Sequence, residues 1–368
     1  MTHHPEHASP YGDLPDTDDN LQLNPAALGE HREAQEAQKA QEAQESKPRN
    51  AWAIVTALVV GLPVVIAAML FSFLAPMNAS GPHHLPVEIA APAQVVDKLD
   101  AALQHQQPDA LDLRHAASPD AAREAVAQRE AVGALVVDPQ ANQVTVYTAA
   151  ANGAPYGQLL TGVAESFRVQ GMDVTSTDVA PLTEKDPSGT GLSALGLPLA
   201  FGGMVSGALI TLLLRRRAVW EKLCGVIGVS LVGGFIVSAI LTWGYGTLDA
   251  NVWATTATIA AGIAATSFVA TGLGSWLGLG GVGIAAILTI FVSNPLSGLA
   301  TGWWWLPQGW GALGQWMPIG AAGHALRSVA FFDGAGATQQ WWALALWILV
   351  GAAVLVWGES RKPASRVG

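Results

Sequence analysis

The sequence predicts a polytopic α-helical membrane protein of about six transmembrane helices with a small extracytoplasmic α/β domain. Three observations predict it. Of the 368 residues, 51% are hydrophobic and only 12% are charged, against about 25% charged in ordinary soluble proteins. The charge is segregated: residues 1–50 and 77–190 hold 24 of the 28 acidic residues. Between Gly191 and Val356 the acidic residues are Glu221, Asp249 and Asp333. Long uncharged apolar runs fill that second region, and each is near the roughly 20 residues needed to cross a ~30 Å hydrocarbon core.

Residues 1–50 are polar and read as a disordered cytoplasmic tail. They include a period-three repeat from Glu33 to Gln44, and they lack the apolar surface that offsets ordering entropy. The first transmembrane helix spans 51–75. It is too extended, behind too long a leader, for a cleavable signal peptide. Lys47 and Arg49 precede it and place its start in the cytoplasm by the positive-inside rule.

Residues 76–190 read as the extracytoplasmic α/β domain. LPVEIAA alternates as a strand does, and Val95, Leu99 and Leu103 recur at helical spacing. ALDLRHA is a second strand, followed by a helix with Ser118 as N-cap. VGALVVD and QVTVYTA form a hairpin across Pro139–Asn142; a third helix begins near Tyr156, and DVTSTDVAPL closes the domain as a strand.

Residues 191–358 form a five-helix membrane domain, with spans at Leu192–Leu214, Cys224–Trp243, Trp253–Leu273, Leu279–Ala300 and Trp341–Trp357. An irregular outer segment occupies 301–340. Residues 359–368 are a second cytoplasmic tail. The inner segments then hold Arg215, Arg216, Arg217, Lys222, Arg361, Lys362 and Arg366, while the outer loops beyond the α/β domain hold Arg327. That asymmetry orients a multi-pass protein of the plasma membrane with both termini cytoplasmic. Trp52, Trp220, Trp243, Trp253, Trp276, Trp341 and Trp357 fall near span ends, as an aromatic belt requires. Cys224, at the start of an apolar run, reads as a small buried hydrophobe.

Several chemistries are disfavoured. No lysine follows a glycine, so there is no P-loop. GLGGVG (Gly278 to Gly283) opens a membrane helix after a turn rather than a βαβ unit, so no dinucleotide cofactor is expected. The histidines of the α/β domain and of the MTHHPEH leader lack catalytic or metal-ligand spacing, so no metal and no enzymatic activity are expected. No basic stripe suggests nucleic acid. No Asp, Glu, Lys or Arg lies deep in a predicted span, against the habit of proton-coupled carriers. The pairs Gly203/Gly207, Gly274/Gly278 and Gly298/Gly302 suit close helix packing, either within the chain or between subunits.

Two segments stand out as candidate sites. Arg215, Arg216, Arg217 and Glu221 make a short basic cytoplasmic loop, an anchor to anionic lipid and a contact for a partner. Ser293 to Gly334 carries Asn294–Pro295, which breaks the fifth span, and Pro318, which leads a short helix ending at Leu326–Arg327. Backbone freed by such a break is tolerated where it is buried or lines a cavity. Arg327 is expected at headgroup level as an interfacial anchor.

Asn294–Pro295, Pro307, Trp310, Trp316–Met317–Pro318 and Leu326–Arg327 together resemble the outer re-entrant part of ABC-2 type exporter permeases. The large domain after the first span, and DPSGTG (Asp186 to Gly191) leading into LGLPLAFGGM, are similar to the phage-infection-protein-like branch. The resemblance covers about 51–358. It implies a homodimeric or paired membrane subunit that exports an unread substrate with a separate ATPase subunit. The branch also implies an alternative, a non-transporting envelope receptor, scaffold or secretion accessory protein.

Overall fold

A computed structural model describes residues 51–106 and 108–361. The N-terminal tail, and the C-terminal tail beyond Arg361, lie outside the described residues. Among the described residues, five helices are long and apolar enough to cross a membrane: Trp52–Ala79, Thr190–Leu213, Val219–Gly244, Val252–Leu277 and Thr338–Ser360. With a small sheet domain inserted after the first, they make this a polytopic helical membrane protein. Residues up to Ile66 and those from Ala67 onward are two compact units. The sheet domain and the other four spanning helices therefore share one unit.

Helix α1 (Ala51–Ala79) is apolar around its whole circumference. Most of its large side chains, from Trp52 to Met77, are exposed. In water that would be untenable; in lipid it is the expected surface.

The sheet domain follows. Strand β1 (Leu85–Ala90) leads through α2 (Ala93–Gln106) to β2 (Leu111–His115), and α3 (Pro119–Ala127) leads to β3 (Gly133–Asp138). A hairpin gives β4 (Gln143–Thr148), and α4 (Ala154–Val169) crosses to β5 (Asp173–Asp178). The sheet order is β2-β1-β3-β4-β5. β1 runs parallel to both β2 and β3, β3 antiparallel to β4, and β4 parallel to β5. Ser118 caps α3, its Oγ accepting from Ala121 N at 3.1 Å. The hairpin turn is held by Asp138 Oδ1, which accepts from Gln140 N and Ala141 N, and by Asn142 at φ 58°. Asn tolerates that left-handed geometry because its short side chain bonds locally. One face of the sheet packs Leu85, Val87, Ile89 and Leu135 against Val95 and Leu99 of α2 and Leu160 and Phe167 of α4. The other face packs Ala90 and Ala134 against Ala122 and Val126 of α3.

The helical part is α5 (Thr190–Ala194), α6 (Gly196–Leu213), α7 (Val219–Ala239, ending in a π-turn at Ile240–Gly244), α8 (Val252–Leu277) and α9 (Leu279–Ala286, ending in a π-turn at Ile287–Ser293). Then come α10 (Trp310–Trp316), α11 (Pro318–Phe331) and α12 (Thr338–Ser360). Helix α8 is the axis of the bundle: 78% of its most apolar window is buried. Its small Gly, Ala, Ser and Thr residues let neighbours approach closely. Gly203 of α6 packs on Thr266 and the Ile263 carbonyl, and Gly207 packs on Ala270 and the Ser267 carbonyl. Hydroxyl bonds reinforce that seam: Ser267 Oγ donates to Gly203 O (3.0 Å) and Thr271 Oγ1 to Gly207 O (3.3 Å). Gly203/Gly207 thus serves packing within the chain. Gly278 (φ 65°) instead makes the turn between α8 and α9, while Gly298 and Gly302 (φ 65° and 84°) lie in loops.

Three expectations are corrected. The fifth predicted span does not form as one helix. Leu279–Ser293 is a shorter apolar helix, about 22 Å long at 1.5 Å per residue, and it stops where Asn294–Pro295 breaks it. Among the described residues, five helices therefore have the length of a full span, one fewer than the six expected. Cys224 is exposed rather than buried, since the buried stripe of α7 runs through Lys222, Val226, Ser230 and Gly234. Lys222 is the third case. The sequence places it in a solvated loop, but α7 begins one turn earlier and buries it completely.

Candidate functional site

The site is the junction between the break after the short apolar helix Leu279–Ser293 and the sheet domain. Ser293, the last residue of the π-turn, turns its hydroxyl toward the returning helix and accepts from Ile319 N at 2.9 Å. Pro318 sits in the first turn of α11, where its missing N–H costs nothing. The Ser293 hydroxyl thus serves one of the unpaired donors at that helix start. Gln315 Nε2 donates to Ser297 O (3.3 Å), and Ser297 Oγ donates to Asn294 O (2.7 Å). Polar groups freed by the break are largely re-paired within the segment.

Asn294 and Pro295 are half-buried and line a cavity of about 390 Å³. Its other walls include Phe73 and Met77 of α1, Gly196 and Leu197 of α6, and Trp305. The Asn294 amide lies close against Gly196. Broken backbone lining a cavity is the arrangement that bilayer physics allows.

The segment also docks the sheet domain. Trp304 and Trp305 pack onto one core of that domain, and Phe331, Phe332 and Ala335 onto the other. Tyr156 in the first turn of α4 is almost completely buried. Its hydroxyl accepts from Trp305 N at 3.1 Å, and its ring meets that of Trp305 edge-on at 5.8 Å. Burial pushes the Tyr156 phenol well above its ordinary pKa, so it stays neutral. Gly302, at φ 84°, lies directly against the Tyr156 ring, where a side chain would collide.

Two arginines complete the junction. Arg129 follows α3 at φ 61° and is 5% exposed. It donates from Nε to Asn152 Oδ1 (3.2 Å), and from Nη1 to His324 O (3.1 Å) and Ser328 Oγ (2.6 Å). Its guanidinium also lies 4.8 Å from the Phe332 ring centroid, a cation–π distance. Burial presses its pKa well down, and the charge on Arg327 adds to that pressure. Arg327 of α11 is 6% exposed and donates from Nη2 to Leu299 O at 2.8 Å. It is therefore packed inside the protein rather than free to reach lipid headgroups. It is a buried tie between α11 and the loop after the break.

Of the four residues expected at the outer segment, Asn294 and Pro295 line the cavity, Pro318 starts α11, and Arg327 belongs to the junction. Arg129, Asn152, Tyr156, His324 and Ser328 also belong to it and carry no signature in the sequence. An arginine at the end of an amphipathic helix normally reads as solvated.

Arg215, Arg216 and Arg217 lie at the opposite end of the bundle and are exposed. Glu221 is half-buried, accepts from Ala218 N at 3.0 Å and lies 4.0 Å from Arg217. It acts as a cap for α7. Near it, Lys222 Nζ and Glu359 Oε1 form a buried pair at 2.6 Å that ties α7 to α12. Trp276 and Trp357 meet on the same side, with centroids 4.9 Å apart. No family model, curated protein or solved structure matches this chain.

Proposed function

We propose that the chain is the permease-like subunit of an ABC-2 type exporter in the plasma membrane. In this reading both termini are cytoplasmic and the sheet domain faces outward. A separate ATPase subunit drives export, and the chain pairs with itself or a similar subunit. The observation that carries the proposal is the break after the short apolar helix Leu279–Ser293. Its Asn294–Pro295 backbone lines a cavity, and it continues into a proline-led helix packed against the sheet domain. A cavity at a break in a span is where transport pathways place their irregular backbone. The exposed Arg215–Arg217 turn supports a second element, a cytoplasmic contact for the ATPase or for anionic lipid.

The same turn favours the non-transporting reading, a receptor, scaffold or secretion accessory protein. The connection between α6 and α7 holds no helix of its own, so any ATPase would grip a small surface. Affinity purification of the full chain from its native membrane separates the readings. Export predicts a stoichiometric ATPase that is lost when Arg215, Arg216 and Arg217 are all changed to Ser. Recovery without any ATPase would leave the second reading standing. Pro295→Ala should impair export several-fold while membrane insertion, read by accessibility labelling, stays normal. Unchanged export would reduce the break to a structural feature.

A further inference from the structure

We propose that the junction holds a small monovalent anion of halide size between Arg129 and Arg327. The case starts from charge. Both guanidinium groups stay protonated at any ordinary pH, and both are more than nine-tenths buried. Among the described residues the ion pairs within 4.0 Å are Arg114–Asp112, Arg168–Glu165, Arg217–Glu221 and Lys222–Glu359. Neither junction arginine is in one. Their partners are all neutral: an amide oxygen, a hydroxyl, two backbone carbonyls and a phenyl ring. Two buried like charges with no counter-charge are among the most costly arrangements a fold can hold.

Unpaired polar atoms point the same way. Eight buried side-chain N or O atoms lack a partner among the described residues, and three of them belong to this junction: Asn152 Nδ2, His324 Nε2 and Arg327 Nε. Two of the three are obligate donors. Asn152 is held to Arg129, and Arg327 neighbours Ser328, which is also held to Arg129. The surplus donors thus belong to groups tied to the two charges. The sixteen-residue helix α4 starts immediately after, at Gly153, with no side-chain cap. Gly153 packs against the Thr301 carbonyl, in the same loop whose Leu299 carbonyl binds Arg327.

A water molecule could accept from these donors, but it would not neutralise the arginines. An anion does both. Its size follows from how little space remains: Asn152 Nδ2, His324 Nε2 and Arg327 Nε are all closed to solvent, so a phosphate, with four oxygens to place, is poorly matched. This site does not depend on export, since the charges are buried whether or not an ATPase binds.

The test uses the full chain purified in detergent, with unfolding followed by tryptophan fluorescence. Sodium bromide is compared with sodium gluconate at equal ionic strength. Bromide should raise the midpoint saturably by roughly 3 °C, the scale expected for a ligand that binds only the folded state. Arg327→Gln should abolish the rise. To separate loss of the site from loss of folding, Asn152→Asp is the second arm. It places a carboxylate beside Arg129, so it should be stable in gluconate and unresponsive to bromide. In crystals soaked in bromide, an anomalous peak should lie within hydrogen-bonding distance of Arg327 Nε. Equal midpoints in the two salts would overturn the proposal, as would a full bromide response in Asn152→Asp or bromide peaks confined to the surface.

Discussion

Asp186 shows how a single residue is set by its neighbours. It sits between β5 and α5, and its two carboxylate oxygens accept from Thr190 N and Gly191 N, each at 2.8 Å. Burial alone would raise its pKa. The N–H groups of Gly191 and Thr190, with the hydroxyls of Thr247 and Thr190, outweigh that and hold it below the ordinary 3.8. A carboxyl whose pKa is depressed on folding stabilises fully above its unfolded value and loses that contribution as pH falls through the folded one. Asp186→Ala should therefore cost about 1 kcal/mol at pH 7, the usual worth of a helix cap. The deficit should shrink below about pH 3.8, as measured by thermal unfolding at both pH values. An undiminished deficit in acid would mean the effect is not carried by the carboxylate charge.

At the scale of elements, the bundle is decided by small residues on α6 and α8. Gly207 touches Ala270 and the Ser267 carbonyl, while Gly202 on the other side of the same helix has open space. Gly207→Val should destabilise the folded protein by about 1–3 kcal/mol through overpacking, lowering its unfolding midpoint. Gly202→Ala should be neutral or slightly stabilising, because it replaces Gly with a better helix former. Equal effects at the two positions would show that the close approach of α6 to α8 is not the cause. The break at Asn294–Pro295 belongs to the same scale. A proline inside an apolar run cannot donate its helical bond, and here the helix ends one residue short of Asn294.

For the whole molecule, two ties hold the helical part together at its opposite ends. At the junction, the sheet domain is bonded to the segment after the break through Arg129 and Tyr156. At the far end, Lys222–Glu359 joins α7 to α12. Glu359→Gln should cost roughly 3–5 kcal/mol by leaving a buried ammonium without its counter-charge. Changing Lys222→Met and Glu359→Leu together should recover most of that loss, since apolar replacements often match a buried pair. A double-mutant cycle on unfolding midpoints measures the coupling, and strictly additive costs would deny it.

Much of the architecture was legible in the sequence. The strands and helices from Leu85 to Asp178 follow from period-two and period-3.6 patterns, from Ser118 as a cap and from a polar hairpin turn. These are local signals, and local physics settles them. Long uncharged runs likewise reveal the five long apolar helices to within about five residues at either end, the start of Val219–Gly244 being the furthest off. What the sequence could not show is which polar side chains are buried. Lys222, Arg129 and Arg327 are charged and flank apolar runs, so by themselves they read as solvated. Only the folding of α11 beneath the sheet domain, and of α7 against α12, removes them from water. The sequence by itself determined the elements and their membrane character, because backbone propensity and transfer free energy act along the chain. The junction was decided by tertiary structure alone, because burial and electrostatic pairing depend on residues nearly two hundred positions apart, as Arg129 and Ser328 are.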